Sequence, residues 1–574
     1  MEKSFTWKIG GEAGYGIASS GLVFAKACQR SGYFVCDLNE YPSLVRGGHN
    51  VYMLRASKEK IFSCVKKVDF LVALNENAVT FHQKELSKDS FILLNTDKVK
   101  DIKISTKAKV CKIPLATIAK KSGGKEVMAN TVALGATFYL LNGDFQVLSL
   151  AIKEVFSAKK EIGNLNIKAA KAGFDFTKDN FEKSKKFTLE KRPKKKTLLL
   201  SGNDALCLGA VKAGCKLFVA YPMTPISPMI TYLAAKGPEA GLMYKQPEDE
   251  ISGINMAIGA SLAGVRTMTA TSGGGFCLMS EGYGLAGMTE TPLVIIEGQR
   301  PGPATGLPTW GGQGDLRFLL HAAQDDFPRI IVAPGDPTEC FWLIAKAFNL
   351  ADKYQTPVVV ITDKHLGESH LWTDPIDASK IKIERGKLLS SKDQPKNYKR
   401  YQVTESGISP RVIPGMKGTV FLSNSDEHSE DGFSNEESEN RIAQVGKRAR
   451  KLKTCKKEIP NPKIHGDKKA KITLVGWGSS KGPILEAQKI LLEEKIPTQF
   501  LQLDFINPMK ESFLTKFFDK TKEEKTIMIE QNSTAQCAGL IRENIGFKIK
   551  NRLLKYDGRP FYPTEIVEKV KKIA

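Results

Sequence analysis

Tyr221-Pro222-Met223-Thr224-Pro225 continues the apolar run Leu217-Phe218-Val219-Ala220. A second run, Arg266-Thr267-Met268-Thr269-Ala270, passes into Thr271-Ser272-Gly273-Gly274-Gly275. A third, Leu293-Val294-Ile295-Ile296, passes into Gly298-Gln299-Arg300-Pro301-Gly302-Pro303. Short apolar runs bounded by Gly, Pro and Ser read as strands. Three polar turns therefore follow the carboxyl ends of three strands, the edge where open α/β sheets bind ligands. Their convergence decides the reading: an α/β sheet with a site built from the stretch 221–317.

The βα rhythm extends outward from this stretch. Leu198-Leu199-Leu200 precedes Ser201-Gly202-Asn203-Asp204, a helix-start signal. Glu248-Asp249-Glu250 opens a further helix, with Ile251, Ile254, Ile258 and Leu262 on one stripe at near-3.6 spacing. Ile330-Ile331-Val332 and Val358-Val359-Val360-Ile361 complete that sheet. Toward the N-terminus, strand Phe5–Ile9 leads through Gly10-Gly11-Glu12-Ala13-Gly14-Tyr15-Gly16 into a helix from Ile17 to about Arg30. Strands at Val51–Leu54, Phe70–Leu74 and Phe91–Leu94 continue a doubly wound pattern. The Lys183–Lys186 and Lys191–Lys196 charge runs read as a solvated linker. Near Lys468 another α/β domain begins, with strands at Ile472–Val475, Thr498–Leu503 and Thr526–Glu530. The expected partition is 1–185, a basic linker 186–196, 197–380, a mixed connecting segment 381–467, and 468–574.

Bulk properties exclude several classes. Lys+Arg of 85 against Asp+Glu of 62 gives a net charge of +23, which suits an anionic substrate or acidic partner and equally a Lys-rich solvated surface. No nucleic-acid motif accompanies it. The ten cysteines contain no C-x-x-C pair, so zinc-ribbon and ferredoxin-type ligation within this chain is not expected. Scattered free thiols, no apolar leader and no run of about 18 apolar residues read as a soluble, cytoplasmic protein without membrane contact.

Several residues carry competing readings. The Gly10–Gly16 turn before a helix can cradle a phosphate, with Gly11, Gly14 and Gly16 as its glycines, or be a plain tight turn. Its G-x-x-G-x-G spacing is not the dinucleotide fingerprint, and Asp37 reads as a strand-end cap rather than a ribose ligand. His49, in the second glycine turn Arg46–Asn50, reads as structural. Glu427-His428 lacks a third metal ligand. Ser423–Asn440 reads as a solvated acidic loop, and Arg448–Lys453 as the basic surface of a helix.

The Tyr221-Pro222-Met223-Thr224-Pro225 signature, the Glu248–Glu250 helix start, the Gly273–Gly275 turn, and Gly298–Pro303 with downstream Gly306-Leu307-Pro308-Thr309 together resemble the 2-oxoacid:ferredoxin oxidoreductases. The resemblance is to the α subunit of the 2-oxoglutarate type with a γ domain fused at its N-terminus, so it spans nearly the whole chain. Met223 stands where Ile or Val is more usual. The resemblance implies a γ-type α/β domain, a thiamine-diphosphate pyrimidine-binding fold and a transketolase C-terminal-like α/β domain. It implies CoA-dependent oxidative decarboxylation of a 2-oxoacid, with electrons passed to ferredoxin. Glu250, aligned through Gly259-Ala260, is implied to be the carboxylate on N1′ of the aminopyrimidine, with Glu248 as the alternative. Dipole compensation is the plain reading of any glutamate at a helix start. Thr224 and Arg300 are implied to meet the substrate's oxoacid group and carboxylate, and a guanidinium fork suits the latter. Thr309 is implied to add a hydrogen bond near the same substrate. Tyr221, Pro222, Ser272 and Gly273 are implied to complete the coenzyme pocket.

The Gly-Asp-Gly mark of a diphosphate–Mg²⁺ site is missing; Gly143-Asp144, Gly314-Asp315, Gly335-Asp336 and Gly466-Asp467 lack the third glycine. No metal ligand is therefore assigned to this chain. The resemblance implies a β subunit holding Mg²⁺ and a [4Fe–4S] cluster, in a hetero-oligomer such as (αβ)2. The fusion and the Gly298–Thr309 sequence point to 2-oxoglutarate, with pyruvate and branched-chain 2-oxoacids left open. The rival readings are a thiamine enzyme that uses no ferredoxin, and a non-catalytic α/β module binding CoA or a nucleotide through the Gly10–Gly16 turn.

Overall fold

The computed structural model describes residues 2–44, 47–100, 102–190, 192–193, 196–390, 392–393 and 395–574. Arg46 of the second glycine turn and Lys191, Lys194 and Lys195 of the linker lie outside the described residues. The chain divides into two units. One comprises Met1–Leu200 with Ser369–Pro375 and Tyr562–Thr564; the other comprises Ser201–Glu368, Ile376–Phe561 and Glu565–Ala574.

The first unit is built on a mixed sheet. Its strands run in the order Lys109–Ile113, Leu86–Asn95, Val68–Ala73, Ser4–Gly11, Asn50–Ser57, Phe34–Glu40, His370–Thr373 and Leu198–Ser201. The first four are parallel to one another, and the Asn50–Ser57 and Phe34–Glu40 strands extend them antiparallel. Helix Ile17–Arg30 starts where expected, with Gly16 at φ 66 as its cap. Trp7, Phe24, Phe70 and Phe138 fill the core beneath it. The Leu198–Leu200 run, expected to open the second domain's sheet, is instead the outermost strand here. Pattern marks it as a strand but cannot choose its partner, the His370–Thr373 strand some 170 positions away.

The second unit contains a seven-stranded sheet. Its order is Phe505–Asn507, Ile330–Val332, Pro357–Asp363, Leu293–Gln299, Thr267–Thr271, Leu217–Val219 and Met243–Lys245. All strands are parallel except Phe505–Asn507. Parallel strands covered on both faces need continuous apolar runs, and Leu293–Gln299 and Pro357–Asp363 are buried throughout. A five-stranded sheet follows, ordered Lys463–Gly466, Thr498–Leu503, Ile472–Trp477, Thr526–Glu530 and Asn551–Leu554. Ile331, Val359, Trp477, Leu503 and Met528 belong to one core that joins the two sheets. No helix among the described residues is long and apolar enough to cross a membrane.

Three local expectations change. Helix Glu250–Leu262 buries Gly253, Ile254, Ala257, Ile258 and Ser261, while Ile251 is 48% exposed. The buried arc is centred on small residues, which places Ile251 roughly a quarter turn off it. The basic run is only partly a helix surface: Lys453 is exposed, but Arg448 and Lys451, with the neighbouring Lys447, are buried in helix Ser438–Glu458. Lys447 and Lys451 pair with the buried Glu290 at 2.5 and 2.6 Å, because a carboxylate inside a protein demands counter-charge. The acidic stretch is not all solvated either. Glu427 accepts both Arg448 nitrogens at 2.9 and 2.7 Å and Arg441 at 2.6 Å, and His428 is fully buried against Tyr401. Glu427-His428 is thereby a structural clamp.

Candidate active site

Three consecutive acids open the Glu250 helix and take three different places. Asp249 is the N-cap and accepts from the Ser252 amide at 2.8 Å, the ordinary role of a short acidic side chain there. Glu248 is exposed and accepts from the Ser252 hydroxyl at 2.7 Å, which holds its carboxyl below the usual range. Glu250 is spared both tasks and turns inward. It is 3% exposed, with Thr271 Oγ1 3.5 Å from its Oε1.

The glycines expected to form a turn instead open a helix, and they make room for that carboxylate. Helix Gly273–Met288 begins after Ser272, whose side chain does not cap it. A Cβ at Gly275 would run into Thr271 Oγ1 and Glu250 Oε1, so only glycine lets the helix start lie this close to the acid. A Cβ at Gly273 would lie 2.6 Å from Asp315 Oδ2. Ser272 Oγ is buried and has no partner. Buried polar atoms are normally satisfied, so Ser272 Oγ stands out as one without a protein partner among the described residues.

Arg300 leaves the end of strand Leu293–Gln299 and donates Nη1 to the Thr224 carbonyl at 3.0 Å. Burial lowers its pKa; the nearby charges of Asp315, Glu250 and Glu297 oppose this. Arg300 makes no ion pair among the described residues, so its remaining donors are available. The Thr224 loop is fixed from two sides. Asn203 Nδ2 donates to the Pro225 carbonyl at 2.9 Å, and Gly298 lets Pro225 and Ile226 pack directly on the strand. Thr309 is buried with its hydroxyl unpartnered, in a segment folded back so that the Leu307 amide donates to the Pro301 carbonyl. Tyr221 and Pro222 are exposed. The structure thus brings Thr224, Glu250, Ser272, Gly273 and Arg300 to one sheet edge.

Glu297 and Asp315 have no assigned role in the sequence reading, although they shape the same edge, and Thr271 and Gly275 enter it only as part of the glycine-rich stretch. Glu297 had a readable signal: a charged residue in an otherwise apolar strand run. Gly314-Asp315 was weighed only as a diphosphate motif.

In the first unit, Gly14 and Gly16 adopt φ 90 and 66, and Asn130 Nδ2 donates to the carbonyls of Tyr15 and Gly16 at 2.7 and 3.2 Å. A cavity of about 240 Å³ adjoins this turn, lined by Gly14, Tyr15, Asn95, Lys98, Glu126 and Asn130 among others. Asp37 is consumed by protein partners, Tyr52 Oη and the His370 amide and ring. His49 meets His82 Nε2 at 2.8 Å, as a structural histidine does. All ten cysteines are free and nine are buried; Cys277 is exposed. Among the described residues no three His, Cys, Asp or Glu side chains converge as metal ligands.

Comparison with known proteins places these observations. Residues 208–447 match the family model "Pyruvate flavodoxin/ferredoxin oxidoreductase, thiamine diP-bdg", and residues 6–176 match "Pyruvate ferredoxin/flavodoxin oxidoreductase". The subunit alpha of 2-oxoacid:ferredoxin oxidoreductase 2 from Aeropyrum pernix is 31% identical, over 98% of this chain and 97% of its own length. The 2-oxoglutarate synthase subunit KorA of Methanothermobacter thermautotrophicus is 31% identical, over 65% of this chain and 98% of its own. A solved 2-oxoglutarate:ferredoxin oxidoreductase from Magnetococcus marinus, with 2-oxoglutarate, coenzyme A and succinyl-CoA bound, superposes with a TM-score of 0.92 at 31% identity, over 100% of both chains. The chain belongs to the 2-oxoacid:ferredoxin oxidoreductase family, as an alpha subunit. Its second unit carries the family's thiamine-diphosphate-binding domain.

Proposed function

We propose that this subunit supplies the pyrimidine half of a thiamine-diphosphate site for the CoA-dependent oxidative decarboxylation of 2-oxoglutarate to succinyl-CoA. The observation that carries the reading is the inward-turned Glu250 beside the half-buried Arg300 on one sheet edge. Glu250, lodged against Gly275 and Thr271, holds N1′ of the aminopyrimidine and keeps a proton there. Tyr221, Pro222, Ser272 and Gly273 complete the coenzyme's surroundings, with the unpartnered Ser272 hydroxyl toward its polar edge. Thiamine diphosphate, when bound, supplies the electron sink for carbon–carbon bond cleavage.

Arg300 holds the substrate carboxylate as a fork, and its bond to the Thr224 carbonyl fixes the direction of that fork. Thr224 and Thr309 donate hydroxyls to the oxoacid end. The Gly11–Gly14–Gly16 turn and its cavity suit a phosphate-bearing CoA. Under this reading a β subunit brings the diphosphate–Mg²⁺ site and a [4Fe–4S] cluster, and ferredoxin takes the electrons from it in an (αβ)2 assembly. The solved relative with 2-oxoglutarate and coenzyme A supports the choice of substrate.

Co-purification with its partner subunit, followed by a screen of 2-oxoacids for CoA-dependent reduction of a low-potential dye, tests the assignment. 2-Oxoglutarate should win, and a preference for pyruvate would overturn that choice. Glu250→Gln should abolish turnover with the complex assembled, while Glu248→Gln keeps it. The reverse pattern would move the role to Glu248.

A further inference from the structure

Beneath Arg300 the sheet buries carboxyls that the reading above leaves unused. Glu297, in strand Leu293–Gln299, is 0% exposed. Asp315 approaches from the following loop, where its amide donates to Gln299 Oε1 at 3.1 Å. The Asp315 carboxyl does not cap its own helix and lies against Gly273. Both Glu297 oxygens and Asp315 Oδ2 are buried without a hydrogen-bond partner among the described residues, and the Asp315 amide is tied to Gln299, two residues along the strand from Glu297 and on the same face. Two ionised carboxylates in such a place repel, and one shared proton gives the pair the donor it lacks.

The surrounding groups agree. Arg300 follows Gln299 at the strand end, Glu250 opens its helix, Asp363 pairs with Gln299 on the neighbouring strand, and Cys277 lies on helix Gly273–Met288; the charges of Arg300 and Asp363 act on Glu297, and that of Glu250 on Arg300. Burial, reinforced by Asp315 and Asp363, holds the Glu297 carboxyl well above its usual range. Burial also raises Asp315, against the influence of Glu297 and of the Arg300 charge. Asp363, held by the Leu366 amide at 2.9 Å, is pushed up to about 6 by burial. Arg300 is therefore the one cation among these groups that keeps the pair from protonating further.

We infer that Glu297 and Asp315 form a proton-sharing pair that couples occupation of Arg300 by a substrate carboxylate to proton uptake. The inference rests on Arg300 being the carboxylate site. An arriving carboxylate cancels the guanidinium charge felt by the pair, so its affinity for protons rises. One proton passes from solvent to an Asp315 or Glu297 oxygen, and no bond of the substrate breaks. Substrate affinity should then fall as pH rises, between the titration of the empty pair and that of the occupied one. Glu297 and Asp315 are positioning residues, acting on the substrate through Arg300.

The test uses the intact complex with its partner subunit. 2-Hydroxyglutarate, a non-reacting dicarboxylate, is titrated in weakly buffered indicator solution, and the KM for 2-oxoglutarate is followed against pH. The wild type should take up close to one proton per site, and its KM should rise by up to about tenfold per pH unit in that window. Asp315→Asn and Glu297→Gln should each abolish most of the uptake and flatten the slope. Infrared difference spectra should show a protonated-carboxyl band gained on binding in the wild type and lost in Glu297→Gln. No uptake by the wild type, or an unchanged slope in both variants, overturns the inference. If Arg300→Ala binds the dicarboxylate normally, the carboxylate site itself is misplaced; if it loses binding while the wild type takes up no proton, only the shared-proton pair is wrong.

Discussion

Gly275→Ala separates the formation of a helix from the placement of a catalytic acid. Position 275 lies in the first turn of helix Gly273–Met288 with an ordinary negative φ. By propensity alone, alanine should stabilise it by about 0.8–1 kcal/mol. The added Cβ, however, falls on Thr271 Oγ1 and Glu250 Oε1. Both partners are buried, so the carboxylate has to rotate away from its present position. A hydrogen bond from a charged group contributes about 1.5–3 kcal/mol, so a displaced Glu250 should cost roughly 10- to 150-fold in coenzyme affinity or turnover. Titration of thiamine diphosphate onto the coenzyme-stripped complex, with dye reduction alongside, measures the loss. Gly446→Ala, in helix Ser438–Glu458 with only the flexible Arg450 Nη1 at 3.4 Å, is the control that should gain helix stability and keep activity. If Gly275→Ala binds coenzyme and turns over within about twofold of wild type, Glu250 does not act from this position, and the argument from close packing fails.

Two further outcomes follow from the same geometry. Arg300→Ala should raise the KM for 2-oxoglutarate while leaving CoA affinity unchanged; an unchanged oxoacid KM in steady-state dye reduction would assign the carboxylate to another group. Glu290→Gln strips the buried Lys447 and Lys451 of their counter-charge, which costs about 3–5 kcal/mol when a buried pair loses one partner. Hydrogen exchange in helix Ser438–Glu458 should accelerate accordingly, and exchange at the wild-type rate would contradict a strong pair. Burial pushes the Glu290 carboxyl up, but the Lys447, Lys451 and Arg400 charges outweigh it and hold the group well below its usual range. A depressed carboxyl stabilises fully above its unfolded pKa of about 4.3, so this contribution should be intact at neutral pH and fade only as acid is added below that value.

The sheet edge was legible because it depends on local chemistry. Runs such as Leu293–Ile296 can hardly be anything but buried strands, and Gly273–Gly275 and Pro301–Pro303 mark where strands end, although Gly273–Gly275 is the first turn of a helix rather than a loop. The parallel order then puts their ends together without further information. What escaped the sequence depends on distant pairing. Lys447 and Lys451 look like any solvated helix face until Glu290, some 160 positions earlier, is seen between them. Leu198–Leu200 announces a strand but not the sheet that accepts it. Glu427 acquires its role only from Arg448 and Arg441. In each case the residue type was read correctly and its partner was missing from the local pattern.

The exposed apolar residues near Glu250 follow from the same logic of pairing, one level up. Ile251, Met256 and Leu278 are 48%, 40% and 49% exposed, on the helices that carry Glu250 and follow Ser272. Each alone is unremarkable. They lie on the two helices that start at the buried Glu250 and just after the buried, unpartnered Ser272 hydroxyl. Under the proposed half-site, covering them is the partner subunit's task, since a coenzyme shared between chains needs dry walls from both. Replacing Ile251 and Leu278 with aspartate should then weaken assembly with the partner, read by sedimentation, while the isolated subunit keeps its fold. A complex that sediments unchanged would place the second half of the site on a different face.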